Sequence, residues 1–220
     1  MPSQKVVIVV GGDQTGVAGL LGTYTEGYRF IGADRGALTL AEVLPQFDAA
    51  IGDFDSVSAA ELERVKEKSA RFMVLPAQKD ETDTEAALAY AITAYQPEEI
   101  ILLGALGGRL DHLMSNLWLC YHPRFKDSVA KIVVQDEQNT LRFFQPGNHQ
   151  LTKDADKKYL SFVSMTPVKK LILCDVAYPL DARDYDHPVA LVSNEFKQDK
   201  MTFSFEKGLL AVIQSKDKKK

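Results

Sequence analysis

Short, largely apolar runs recur along the first part of the chain, and stretches of helical period separate them. The runs fall at residues 6–10, 28–31, 47–51, 72–75, 100–103 and 131–134, and the helical spacing at 37–44, 59–69, 84–95 and 112–121. A strand that is apolar throughout needs cover on both faces, and alternation with helices supplies it. The pattern predicts a parallel α/β sheet with helices on both sides. After Asn139 the helical period stops. β-rich runs follow at 141–144, 159–164, 168–173, 190–192, 201–205 and 209–213, separated by turn clusters such as Pro146-Gly147-Asn148 and Lys207-Gly208. They predict a small antiparallel sandwich. The fold class is therefore α/β: an N-terminal parallel-sheet domain followed by a C-terminal all-β sandwich domain. The polar stretch Asp136-Glu137-Gln138-Asn139 places the boundary, giving domains of residues 1–138 and 139–220.

Composition narrows the function classes. With 45% hydrophobic and 25% charged residues over 220 positions, the chain can bury a core and is not wholly disordered. Acidic residues (30) outnumber Lys plus Arg (26), and the net charge of −4 disfavours a nucleic-acid binder. The only basic run is the terminal stretch 216–220, a solvated tail. No apolar run approaches the roughly 18 residues that suggest a membrane span. Residues 6–10 are ended by Gly11-Gly12 and read as a buried first strand, not a signal peptide. Cys120 and Cys174 have no CxxC partner and read as reduced core thiols, in keeping with an expected cytoplasmic location.

Open parallel sheets bind ligands beyond the carboxyl ends of their strands. There the sequence gathers glycines and acids: Gly11-Gly12-Asp13, Gly32-Ala33-Asp34-Arg35-Gly36, Gly52-Asp53-Phe54-Asp55-Ser56, Lys79-Asp80-Glu81-Thr82-Asp83, and the run from Gly104 to His112. Each has a structural reading, since Asp and Gly suit turns. Thr82 to Glu85 fits a capping box, with Asp83 at the positive end of a helix dipole. Seven aspartates on one rim would repel one another unless cations were present. Beside Lys79, Arg35 and Arg109 they suit Mg²⁺ and phosphates. Asp53 and Asp55 are the strongest pair, because i, i+2 spacing in an extended segment points both carboxylates to one side. The glycines from Gly104 to Gly108 could offer backbone N–H groups to phosphate. Neither GxxxxGK[ST] nor GxGxxG occurs, so a P-loop and a classical dinucleotide fold are excluded. Trp118 reads as helix packing.

These segments together resemble the thiamine pyrophosphokinase (thiamine diphosphokinase) family. The motifs are GADRGA at 32–37, GDFDS at 52–56, KDETDTEAAL at 79–88 and GALGGRLDHLMSNL at 104–117, then YPL at 178–180, SNEF at 193–196 and FEKGLLAVIQS at 205–215. The resemblance implies an ATP-binding α/β domain and a β-sandwich that helps bind thiamine. It implies transfer of pyrophosphate from ATP to the thiamine hydroxyl, with AMP released, and a homodimer with active sites at the subunit interface. By motif, Asp53, Asp55 and Asp83 would be the metal and phosphate-handling carboxylates. Asp34, Arg35, Lys79, Asp80, Gly107, Gly108 and Arg109 would bind ATP, with Asp111 beside the nucleotide. Asp83, Ser193 and Asn194 would face thiamine. The chain departs from the family at 181–191, which is acidic and lacks a Gly/Ser-rich turn, and at Asp175, which stands where glycine is usual.

Phosphoryl-type transfer asks mainly for positioning and charge neutralisation. Mg²⁺ on the aspartates would serve that end, with Arg109 as a bidentate donor and Lys79 as a point charge. Asp83 or Asp55 could accept the hydroxyl proton, and His112 is an alternative. Two other readings use the same rim: a different Mg²⁺-dependent transferase or hydrolase acting on a nucleotide or phosphosugar, and a nucleotide-sensing module without turnover.

Overall fold

A computed structural model describes residues 4–24, 27–76, 78 and 80–218. The chain forms two compact units, Met1–Glu137 and Gln138–Lys220.

In the first unit six parallel strands pair in the order β6-β5-β1-β2-β3-β4. They are β1 (Lys5–Val9), β2 (Tyr28–Ala33), β3 (Ala49–Gly52), β4 (Phe72–Val74), β5 (Glu99–Leu103) and β6 (Ile132–Gln135). The helices are α1 (Val17–Leu21), α2 (Arg35–Val43), α3 (Ala59–Lys68), α4 (Asp83–Tyr95) and α5 (Leu110–Trp118). Val6, Val7, Ile8 and Val9 of β1 all have zero exposure, so both faces of the sheet are covered. Val7 and Val9 pack with α1, α2 and Val65 of α3. The Ala-rich helix α4 lies against β1, β2 and β3, and its Ala87, Leu88 and Ala91 are fully buried. Small side chains let that helix approach the sheet closely. Its first turn is fixed as the sequence predicts: the Thr82 hydroxyl accepts from Glu85 N at 3.2 Å, and the Glu85 carboxylate accepts from Thr82 N at 2.7 Å.

Because every strand is parallel, all carboxyl ends share one edge. The chain runs outward from β1 to β4 and returns to place β5 on the other side of β1. The crevice at that reversal lies beyond β1 and β5, where open α/β sheets bind ligands.

The second unit has two antiparallel sheets, ordered β12-β9-β14-β7 and β11-β10-β13-β8. The first comprises β7 (Asn139–Phe144), β9 (Tyr159–Ser164), β12 (Ala190–Asn194) and β14 (Leu210–Ser215). The second comprises β8 (Gly147–Thr152), β10 (Val168–Cys174), β11 (Leu180–Tyr185) and β13 (Lys200–Phe205). Both contribute to one core, with Leu160, Phe162 and Val212 from one sheet and Leu171, Phe203 and Phe205 from the other. This is the expected sandwich.

Three local expectations differ. Strands β8 and β11 fall where the sequence reads as a turn and an acidic loop. Both are edge strands, and β11 has no buried residue, so apolar periodicity cannot reveal them. Cys174 is exposed rather than buried because it ends β10 on the outward side of the pleat, whereas Cys120 is in the core. Trp118 is 57% exposed. It belongs to a stripe on α5 with Leu110 and Met114 that nothing among the described residues buries.

Gly32 and Gly36 let α2 sit on the sheet. A Cβ on Gly36 would run into the carbonyl of Val9, and one on Gly32 would meet the backbone of Ala37. Gly36→Ala should therefore cost about 1–3 kcal/mol through a backbone clash. Urea unfolding measures it, and an unchanged midpoint would contradict the close approach.

Candidate active site

Four strand-end loops and the start of α4 enclose a cavity of about 670 Å³ in the first unit. The β1–α1 loop brings Gly11, Gly12 and Asp13, and β2 ends in Asp34. Asp53, Asp55 and Ser56 follow β3, and Thr82, Asp83 and Thr84 open α4. The β5–α5 loop adds Gly104, Ala105, Gly107, Gly108 and Arg109, and α5 itself adds His112 and Asn116.

The glycine loop is built to bend. Gly104, Gly107 and Gly108 have φ of 74°, 79° and 69°, a region open mainly to glycine. Asn116, 7% exposed, donates from its amide to the Ala105 carbonyl at 3.0 Å and anchors the loop to α5. A Cβ on Gly12 would strike the Gly104 carbonyl, so the β1–α1 and β5–α5 loops are in direct backbone apposition. Gln14 fastens the first of these, donating to Val10 O at 2.8 Å and accepting from Thr39 Oγ1 at 2.7 Å.

The carboxylates of Asp34, Asp53 and Asp55 offer oxygens within 4.8 Å of one another. Asp34 is the member that most needs a partner. Its Oδ2 accepts from Ser56 Oγ at 3.2 Å, but its Oδ1 is buried with no hydrogen-bond partner among the described residues. Burial pushes the Asp34 carboxyl above its usual range, and the charges of Asp83 and Asp53 push the same way. Its backbone also sits at φ 48°, ψ −122°, where non-glycine residues are rare. An orphaned carboxylate oxygen beside two more carboxylates is a hard oxygen donor set that fits Mg²⁺.

Asp53 and Asp55 do share the cavity, though not by strand geometry. Strand β3 ends at Gly52, and Phe54 turns the chain with φ 55°. Asp83 lines the same cavity from the first turn of α4.

Arg109 and Asp111 pair at the start of α5. The guanidinium donates from Nη2 at 2.6 Å and Nε at 3.2 Å, and this bonding holds the Asp111 carboxyl down to about 2. Arg109 lines the cavity, while Asp111 lines an adjoining groove with Met114, Trp118 and Tyr121. Arg35 and Asp80 are not among the residues lining the cavity; Arg35 reaches sideways to the Ser56 carbonyl at 2.9 Å and Asp80 is exposed. Lys79 lies outside the described residues. Gln14 and Thr39 support the rim from outside any of the motifs, and Asn116 lies within that at 104–117 without being singled out there; only the requirement that a glycine loop be tied down points to them.

In the second unit Asn194 is 5% exposed. Its amide oxygen accepts from Tyr178 N at 3.0 Å and Glu195 N at 2.9 Å, and its amide nitrogen donates to Tyr178 O at 2.9 Å. Asn194 thus pins the turn that displays Tyr178, which is 70% exposed. Ser193 beside it has φ 60°.

Residues 25–134 match the family model described as "Thiamin pyrophosphokinase, catalytic domain", and residues 148–210 match "Thiamin pyrophosphokinase, vitamin B1 binding domain". The thiamine pyrophosphokinase of Bacillus subtilis is 36% identical over 218 residues, covering 97% of this chain and 100% of the relative. The crystal structure of a thiamin pyrophosphokinase family protein from Enterococcus faecalis superposes with a TM-score of 0.89 at 39% identity, covering 98% of this chain and 100% of that one. Yeast thiamin pyrophosphokinase shares the fold at a TM-score of 0.74 and 10% identity, over 98% of this chain and 87% of its own. With both family models matched and a relative aligned over its full length, this chain belongs to the thiamin pyrophosphokinase family, enzymes that pyrophosphorylate thiamine.

Proposed function

We propose that the aspartate rim of the first unit carries out this reaction: the thiamine hydroxyl attacks the β-phosphorus of ATP, the α–β anhydride bond breaks, and AMP leaves. The observation that carries the reading is the group of three carboxylates, one with an orphaned oxygen, beside a glycine loop in one cavity. Asp53 and Asp55, with Asp34 and Asp83 next to them, would hold Mg²⁺. Held there, Mg²⁺ would supply charge neutralisation for the phosphate oxygens. The backbone of Gly107 and Gly108 presents N–H groups to the nucleotide phosphates, and Arg109 meets them with its planar fork, oriented by Asp111. Arg35 and Asp80 stand outside the cavity lining and, like Lys79, are assigned to ATP from their motifs alone. Asp83 or Asp55 would accept the hydroxyl proton as the new P–O bond forms, with His112 of the same cavity as the alternative.

The first unit thus serves as the ATP and Mg²⁺ domain, and the second as the thiamine domain through Ser193 and Asn194. Asn194 acts there by fixing the Tyr178 turn. We extend the reading to a homodimer with active sites at the subunit interface. The exposed apolar stripe of Leu110, Met114 and Trp118 supports it, because monomers rarely leave such faces open. Both cysteines are free thiols, which suits the reducing cytoplasm. No helix among the described residues is long and apolar enough to cross a membrane.

With ATP, Mg²⁺ and thiamine the protein should form AMP and thiamine diphosphate in equal amounts. Asp53→Asn should keep its thermal unfolding profile and lose turnover by about a hundredfold or more. ADP as the product, or full activity of the variant, would overturn the reading.

Asn194→Ala should raise the KM for thiamine about fivefold, the effect of hydrogen bonds worth about 1 kcal/mol, and leave that for ATP nearly unchanged. Equal effects on both substrates would count against a separate thiamine side.

Asp34→Asn should stabilise the metal-free protein at neutral pH, since it removes a buried charge with like-charged neighbours. The folded-state pKa is raised, so the penalty is present above it and disappears as pH falls toward the ordinary carboxylate value. The gain in Tm should accordingly shrink on acidification. A gain independent of pH would show that the charge is not its source.

A further inference from the structure

Phe54 occupies a position that a bulky side chain should avoid. It stands between two cavity-lining aspartates, yet its own backbone is left-handed at φ 55°. For an aromatic residue that is a true outlier, sustained only when the surroundings over-determine it. The ring is 5% exposed and stacks on Phe72 of β4, with centroids 4.9 Å apart and planes at 20°. Phe72 is covered on its own account by the Lys66 ammonium of α3, 5.6 Å from the ring centre. The turn is closed on both sides: Asp55 N donates to Asp53 Oδ1 at 3.2 Å, and Val57 N donates to the Phe54 carbonyl at 3.2 Å. Ser56, between Asp55 and Val57, donates to Asp34 Oδ2 at 3.2 Å and ties the turn to the neighbouring loop.

In an unbroken strand Asp53 and Asp55 would face one way while Phe54 faced the opposite side. Past the end of β3 no ladder enforces that alternation. The buried ring does so instead. We infer that Phe54 is a positioning residue for the proposed reaction: by anchoring its ring on Phe72 it holds the turn in a strained form that aims both flanking carboxylates, and Ser56, at the shared cation position with Asp34. This rests on the metal-binding reading above. It assigns a function to the central residue of GDFDS, whose side chain never reaches the cavity.

The test is Mn²⁺ binding, followed by electron paramagnetic resonance in the presence of α,β-methylene-ATP, which cannot release AMP. Thermal unfolding and steady-state kinetics accompany it. Phe54→Gly relieves the strained backbone but removes the anchor. Phe54→Leu keeps an apolar plug without the stack, and Phe72→Leu removes the platform while leaving the turn untouched. The expected result is Mn²⁺ affinity lowered by about tenfold or more in Phe54→Gly, a supporting-residue effect. A smaller loss is expected in Phe54→Leu and Phe72→Leu. The kcat should fall in step with the affinity, with the thiamine KM unchanged. If Phe54→Gly does not fold, the two leucine variants decide. Folded variants that bind Mn²⁺ as tightly as the unsubstituted chain overturn the inference. An unsubstituted chain that binds Mn²⁺ but makes no thiamine diphosphate would refute the reaction and leave the role of Phe54 standing. Failure of that chain to bind Mn²⁺ would remove the metal reading and this inference together.

Discussion

Burial of both faces of the parallel sheet is the constraint from which the rest of the first unit follows. Val6 to Val9 of β1 have no exposure, so helices must lie above and below, and every connection must cross over between parallel strands. That geometry delivers all strand ends to a single edge. Side chains far apart in sequence, Asp13, Asp34, Asp53, Asp83 and Arg109, become neighbours without any of them contributing to the core. The core supplies stability, and the edge is left free for chemistry that works against it.

The opposition is visible in the backbone as well as in the charges. Asp34 and Phe54 both have positive φ, and they lie in adjacent loops tied together through Ser56. Asp34 carries a buried oxygen with no partner among the described residues, in a field of like charge. Each feature raises the energy of the folded chain without ligand, and each is tolerated because the surrounding sheet over-determines the loops. Glycines do the complementary work where backbone must come near backbone, as at Gly12 and Gly104.

Much of this was legible in the sequence because apolar runs and strand-end acids leave clear marks. The parallel sheet and its helices follow from the runs at 6–10 and 100–103 and the helical spacing at 84–95. The capping box at Thr82 was readable because its chemistry is local. What escaped was information held in tertiary contacts. Strands β8 and β11 are solvated edges, so their sequences have no apolar period to read. Asp34 reads as one loop acid among seven, and only the fold makes it the partner of Asp53 and Asp55. The exposure of Trp118 depends on what lies over α5, which its own helical spacing cannot state. The bonds that tie the Asn194 amide to the backbone of Tyr178 and Glu195 are tertiary, and its motif does not state them.

The apposition of Gly12 and Gly104 has a consequence for how this chain can change over time. Two loops distant in sequence share one backbone contact, with no side-chain volume on either side to trade. Drift in one loop therefore has no compensating substitution in the other. The pair should persist as a fixed seam while the surrounding helices diversify, and a library aimed at new nucleotide preference would do better to vary the acids around the seam than the glycines that form it.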